Sequence, residues 1–167
     1  VSATEEDRGV RCCFLGADGR HAESLWLRLW DVKNRPYLPL DANGVGQVTP
    51  EMAWPQMDGK RVFRHAIDRM CSGLRQACDD QSIAVEDVDL FCFHQANLRI
   101  NEAVQQSLGI KPDRIYNNIQ KYGNTTAATI PIAYDECRRS GRIKRGDLLC
   151  FVGLGAGFHW GAALLRD

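Results

Sequence analysis

Residues 124–140 read as a helix whose first half, NTTAATIPIAY, is small and apolar nearly all round. A helix on a protein surface carries its apolar residues on one stripe; one without a polar side is covered from several directions. Pro131 lies inside the run and predicts a kink, because its ring displaces a helical hydrogen bond. Gly141 ends the segment. Whatever fold the chain adopts must bury this helix more fully than one sheet can.

The rest of the chain supplies only one sheet. Residues 9–15 (GVRCCFL) read as a strand, closed by Ala17, Asp18 and Gly19. Residues 21–55 are irregular, with four of the six prolines and a turn at Asp41, Ala42, Asn43 and Gly44; short strands are expected near residues 24–30 and 45–49. Residues 59–80 form an amphipathic helix, with Val62, Phe63, Ala66, Ile67, Met70, Leu74, Ala77 and Cys78 at helical spacing. Residues 88–93 (VDLFCF) are a short apolar strand, 97–108 a helix closed by Gly109, and 113–116 a strand. Residues 147–153 and 159–166 are two strands around the turn GLGAG. The order β-α-β-α-β-α-β-β makes an α/β fold with a mixed five-stranded sheet and helices on both faces. Such a sheet cannot surround the residue 124–140 helix, so a second layer of protein is implied.

At 167 residues the chain holds one domain with a real core. Lysine plus arginine and aspartate plus glutamate number 21 each, which argues against nucleic acid as the main partner. No apolar run reaches the roughly 18 residues needed to span a bilayer. The first residues, VSATEEDRGV, are too polar for a signal peptide, and the missing initiator methionine predicts a fragment or processed chain. The seven cysteines form no C-x-x-C pair and sit mostly in apolar settings, which predicts buried thiols in a reducing cytoplasm.

Two junctions carry the chemistry. His94-Gln95-Ala96-Asn97 and, about thirty residues later, Gly123-Asn124-Thr125-Thr126 each stand where a predicted strand gives way to a predicted helix. Each presents a neutral hydrogen-bond donor, an imidazole and a carboxamide. Two such donors stabilise a developing oxyanion, and neither is a nucleophile. The competing readings are ordinary: His94 as a core histidine and Asn124 as a helix N-cap. Cys92, two residues before His94, fits a core strand position better than a nucleophilic one.

The segments HQANLRI (94–100), YGNTTAATIP (122–131), GRIKRGDLL (141–149) and GxGxGFxWGAALxR (153–166) are similar to the C-terminal half of the beta-ketoacyl-acyl-carrier-protein synthase III family, condensing enzymes of the thiolase-like fold. ADG (17–19) and GKRVFRHA (59–66) extend the resemblance to nearly the whole chain. The resemblance implies two similar halves stacked in five layers, with two helices in the middle. Residues 1–167 would be the C-terminal half, and the N-terminal half with the nucleophilic cysteine would lie outside this chain.

The resemblance also implies roles. His94 and Asn124 would be the catalytic pair of a decarboxylative Claisen condensation of acyl-CoA with malonyl-acyl-carrier protein, in fatty acid biosynthesis. Arg64 and Arg99, placed at helix starts, would meet the carrier protein or the phosphates of its pantetheine arm, with a solvated helix face as the ordinary alternative. Gly155 and Gly157 would let backbone approach the thioester, with a simple hairpin turn as the alternative. Ala156 and His159 depart from the usual Gly and Thr of that loop, and Gln106 and Ser107 stand where lysines are common. The expected partners are the N-terminal half, acyl-carrier protein and a second copy in a homodimer, with no nucleic acid, membrane, metal or cofactor, in the cytoplasm. The chain alone is expected to be inactive. Two other readings stay open: a synthase III-like acyltransferase of secondary metabolism, and a non-catalytic interaction domain.

Overall fold

A computed structural model describes residues 7–27 and 54–167. Strand β1 (Gly9–Ala17) is followed by a 3-10 turn (Gly19–Ser24) and a two-residue strand β2 (Leu25–Trp26), which pairs with β3 (Gln56–Met57). Helix α1 (Gly59–Asp79), β4 (Leu90–Phe93), α2 (Leu98–Leu108), β5 (Ile115–Tyr116), the single turn α3 (Ile119–Tyr122), α4 (Thr129–Arg139), β6 (Leu148–Gly155) and β7 (His159–Arg166) complete the order. The strand expected near residues 45–49 and the turn at Asp41–Gly44 lie outside the described residues. The expected strand near residues 24–30 is present as β2.

Five strands form one mixed sheet in the order β1-β7-β6-β4-β5. β4 runs parallel to both β5 and β6, while β6-β7 and β7-β1 are antiparallel. The connections explain the layers. The chain steps outward from β4 to β5 through α2, then back past β4 to β6 through α4. Right-handed crossovers in opposite directions along a sheet put their helices on opposite faces. Alternation along β4 follows. Phe91 and Phe93 point into a core with Leu74 and Ala77 of α1 and Val104 of α2; Leu90 and Cys92 point the other way, against Ala133 and Cys137 of α4.

The helices begin where polar side chains catch their free amides. Asp58 accepts from the Arg61 backbone N–H at 3.0 Å ahead of α1, and Asn97 accepts from that of Arg99 at 3.0 Å ahead of α2. Gly109 closes α2 with φ +66°, in the left-handed region. In α1 the buried row Val62, Ala66, Met70, Leu74, Ala77 and Cys78 is the expected apolar stripe.

The segment after β5 differs from the sequence reading. No helix spans residues 124–140. A short turn α3 ends at Gly123, a 3-10 turn covers Thr126–Ala128, and α4 begins only at Thr129. Pro131 is therefore the third residue of α4, inside the first turn, where a backbone N–H has no helical acceptor. It kinks nothing. The strand expected over residues 113–116 is likewise shorter, because Pro112–Arg114 form a 3-10 turn before β5.

Small residues at the start of this region are nevertheless exposed, while the rest of the outer side of α4 carries Asp135, Arg138 and Arg139. Thr129, Ala133 and Cys137, four residues apart, are the buried row of α4. Pro131 of α4 lies exposed, as do Ala127 and Ala128 in the 3-10 turn before it. No helix among the described residues is long and apolar enough to cross a membrane.

Candidate active site

Parallel strands β4, β5 and β6 end at the same edge of the sheet, and ligands of open α/β sheets sit at that carboxyl edge. His94 directly follows β4, Asn124 lies on the connection leaving β5, and Gly155 ends β6. All three line one cavity of 360 Å³, walled by apolar side chains of α1, α2 and β3 such as Phe63, Met70, Ile100 and Met57. A second hollow shares His94, Asn124, Leu154 and Gly155 and runs under Thr126 and Ile130.

His94 continues the β4 ladder, its N–H donating to the Val152 carbonyl at 2.8 Å. By alternation it belongs to the row of Leu90 and Cys92, which faces α4. That row meets its counterpart on the helix: Cys92 packs in one cluster with Cys137, and His94 Nδ1 lies 2.6 Å from Thr129 Oγ1. Burial pushes the imidazole's pKa below its ordinary value, so the ring is neutral at pH 7. The backbone of β6 passes close beside it. A Cβ on Gly153 would sit 3.3 Å from His94 Cβ, so glycine is what lets the two strands' ends approach.

Asn124 is exposed at the cavity wall. Its carboxamide oxygen accepts the Thr126 backbone N–H at 2.8 Å, an Asx-type turn that opens the 3-10 segment. The capping alternative is thus met in altered form: the side chain closes a local turn and not helix α4, whose N-cap is Ala128. With the oxygen tied back, the Nδ2 amino group remains to donate.

Gln95 holds these two junctions together. It is fully buried; its Nε2 donates to the Phe93 carbonyl at 2.8 Å, and its Oε1 accepts the N–H groups of Asn118 at 3.1 Å and Ile119 at 3.2 Å. The end of β4 is thereby fastened to the loop that leads to Asn124. Further along, Glu136 of α4 accepts from Tyr116, Asn118, Lys121 and Tyr122, which draws α3 onto α4. Sequence reading passed over Gln95, Thr129 and Glu136. Gln95 sits inside the first motif and Thr129 three residues beyond the second, and that position was their only signal.

Other candidate residues fall around this centre. Arg64 and Arg99 border a groove that shares Met57, Gly59, Phe63 and Asn97 with the cavity. Arg99 is the second residue of α2, its guanidinium 5.7 Å from the Phe63 ring, whereas Arg64 lies in the second turn of α1, not at its start. Gly155 lines the cavity; Gly157 belongs to the β6-β7 turn and does not. His159 is exposed and donates from Nδ1 to the Ala156 carbonyl at 2.7 Å, clamping that turn.

None of the seven cysteines lines either hollow. Cys92 is fully buried, and its contact with Cys137 together with burial drives its thiol well above the ordinary range. Cys78 is pushed up to about 11 and Cys150 is raised well above its ordinary value, both chiefly by burial. A thiol that stays protonated is a poor nucleophile.

Solved structures share this fold. The beta-ketoacyl-acyl-carrier-protein synthase III of Thermus thermophilus superimposes with a TM-score of 0.84 at 35% identity, over 100% of this chain and 49% of that one. The 3-oxoacyl-acyl-carrier-protein synthase III of Aquifex aeolicus gives 0.81 at 32%, over 99% and 47%. The fold is the thiolase-like half-fold. In sequence, the beta-ketoacyl-acyl-carrier-protein synthase III of Rhizorhabdus wittichii is 38% identical over 160 residues, 96% of this chain and 46% of that protein. The family described as 3-oxoacyl-acyl-carrier-protein synthase III C terminal matches residues 78–167, and the chain belongs to it. The chain spans about half the length of the curated relatives it matches.

Proposed function

We propose that this chain is the C-terminal catalytic half of a synthase III acyltransferase, which condenses acyl-CoA with malonyl-acyl-carrier protein in fatty acid biosynthesis. In this reading the Cys-bearing N-terminal half takes the acyl group as a thioester. Malonyl thioester then loses carbon dioxide, and its enolate attacks the acyl carbon. His94 and Asn124 hold the enolate oxygen as charge builds on it. One observation carries the reading: a neutral imidazole and an oriented carboxamide, from two different junctions, wall one apolar cavity. Preorganised donors in a dry pocket suit an oxyanion, each worth roughly 2.7–4 kcal/mol. No proton need leave the malonyl carbon, so no general base is called for, nor any metal or redox cofactor.

The groove with Arg64 and Arg99 is the entrance for the pantetheine arm, where guanidinium forks to phosphate oxygens. Gly155 gives the thioester close backbone, and Gly157 serves through the turn it shapes. The exposed side of α4 packs on the N-terminal half, and the complete enzyme works as a cytoplasmic homodimer. Among the described residues no cysteine lines the cavity, so the chain alone is expected to be inactive.

The test is an assay of the isolated chain with acyl-CoA and malonyl-acyl-carrier protein, without and with the N-terminal half. Ketoacyl product is expected only when both are present. Turnover by the chain alone that is lost on Cys92→Ser would contradict the account of the nucleophile.

A further inference from the structure

The wall beside His94 and Asn124 is partly backbone. Gly155 and Ala156, from the turn between β6 and β7, line the hollow that those two side chains share. Between the two strands stand only Ala156, Gly157 and Phe158. Glycine leaves such a turn many conformations, so a wall made from it holds its shape only if it is tied down. The far end is tied by Phe158. This residue is fully buried, its N–H donates to the Asp18 carbonyl at 3.0 Å, and its own carbonyl accepts the Asp18 N–H at 2.8 Å. At the near end, among the described residues, no loop or turn hydrogen bond of the backbone reaches the Ala156 carbonyl.

His159 supplies the second tie. Its Nδ1 lies 2.7 Å from the Ala156 carbonyl oxygen. A carbonyl oxygen only accepts, so the proton of this hydrogen bond belongs to Nδ1. The ring passes over Gly157 to get there: a Cβ on Gly157 would fall 2.0 Å from Nδ1 and 2.4 Å from Cε1 of His159. Glycine at 157 therefore makes room for the imidazole. The peptide unit is planar, so a fixed Ala156 carbonyl fixes the whole link between Ala156 and Gly157. His159 itself is exposed and lines neither hollow.

We infer that His159 is a positioning residue for the condensation: reaching across Gly157, its Nδ1–H holds the Ala156 carbonyl and so fixes the backbone wall beside His94 and Asn124. It touches no reacting atom. The catalytic consequence rests on the oxyanion role proposed for that pair; the clamp itself does not.

The experiment compares variants of the assembled enzyme, this chain with its N-terminal half. His159→Leu removes the donor and keeps most of the bulk, whereas His159→Asn keeps a donor, Nδ2, where Nδ1 stood. In His159→Leu the kcat of malonyl decarboxylation should fall about tenfold, the rate equivalent of one net hydrogen bond, with KM for malonyl-acyl-carrier protein within about twofold. His159→Asn should recover to within about threefold of the wild type. The pH profile of kcat should keep its shape in both, because the clamp passes no proton to substrate. A second readout needs no activity. In ¹⁵N-histidine spectra of the wild type, His159, assigned by its loss in His159→Asn, should carry a proton on Nδ1 at every pH of the assay. An unprotonated Nδ1, a wild-type rate in His159→Leu, an Asn variant as slow as the Leu variant, or a limb of the pH profile lost with the imidazole overturns the proposal. If His159→Leu does not fold, the spectrum and the rate of His159→Asn decide. His94→Ala separates the two levels: undiminished decarboxylation there sinks the oxyanion role and leaves the spectrum to judge the clamp.

Discussion

Gln95 illustrates how one buried amide can hold a site without touching its chemistry. Its Oε1 takes two backbone N–H groups of the loop before α3, and neither has another acceptor in helix or sheet. Replacing it by an apolar residue strands both donors, at about 1–3 kcal/mol for each buried one. Gln95→Leu should therefore lower the unfolding free energy by about 2–4 kcal/mol in urea titrations; a change under about 0.5 kcal/mol would show that the loop is held otherwise. Glu136 acts through charge. Hydrogen bonds from Asn118, Lys121, Tyr122 and Tyr116 hold its carboxyl at about 2, below the ordinary value of 4.5. A carboxyl lowered in the folded state binds fewer protons there than when unfolded. Its stabilisation is complete above pH 4.5 and is lost as pH falls toward 2. Melting temperature should drop through that window in the wild type, and Glu136→Gln should flatten the drop. An identical pH profile in the variant would refute the role of this cluster.

At the scale of elements, β4 and α2 were legible because their signals are local. VDLFCF is apolar and short, Asn97 is a good cap, and Gly109 is a good stop. The beginning of α4 was not legible. GNTTAAT holds no strong breaker after Gly123, and small residues fit a 3-10 turn as readily as a helix, so only tertiary contacts place the start at Thr129. Pro131 looked like an interior kink for the same reason: its position within a turn depends on where the helix begins. Proline in a first turn is compatible with the helix and restricts the unfolded chain. Pro131→Ala should thus cost less than about 1 kcal/mol by thermal unfolding, whereas a large gain would revive the kink. The two candidate donors were readable from motif and junction alone. Thr129 and Gln95 were not singled out, because a hydroxyl or amide in a polar run shows its partner only once strand and helix are packed.

The whole molecule is defined by a helix with one covered side. The sheet takes Thr129, Ala133 and Cys137, and leaves Ala127, Ala128 and Pro131 outside. Large bare apolar surfaces on soluble proteins mark interfaces. In isolation the chain is expected to self-associate through α4 at micromolar concentration, and Ala128→Glu should shift it to monomer in sedimentation; a wild-type chain that stays monomeric would count against this face as an interface. In the proposed reading, the N-terminal half would take that place when present, and the work would divide between halves. Acyl loading would then belong to the cysteine of the other half, and enolate stabilisation to His94 and Asn124. The most direct test measures the two steps apart in the assembled enzyme, following labelled acyl-enzyme for loading and carbon dioxide release for decarboxylation. His94→Ala and Asn124→Ala should each slow decarboxylation by about 10²–10³ while leaving loading much less affected. Normal carbon dioxide release from malonyl thioester in both variants would contradict the account.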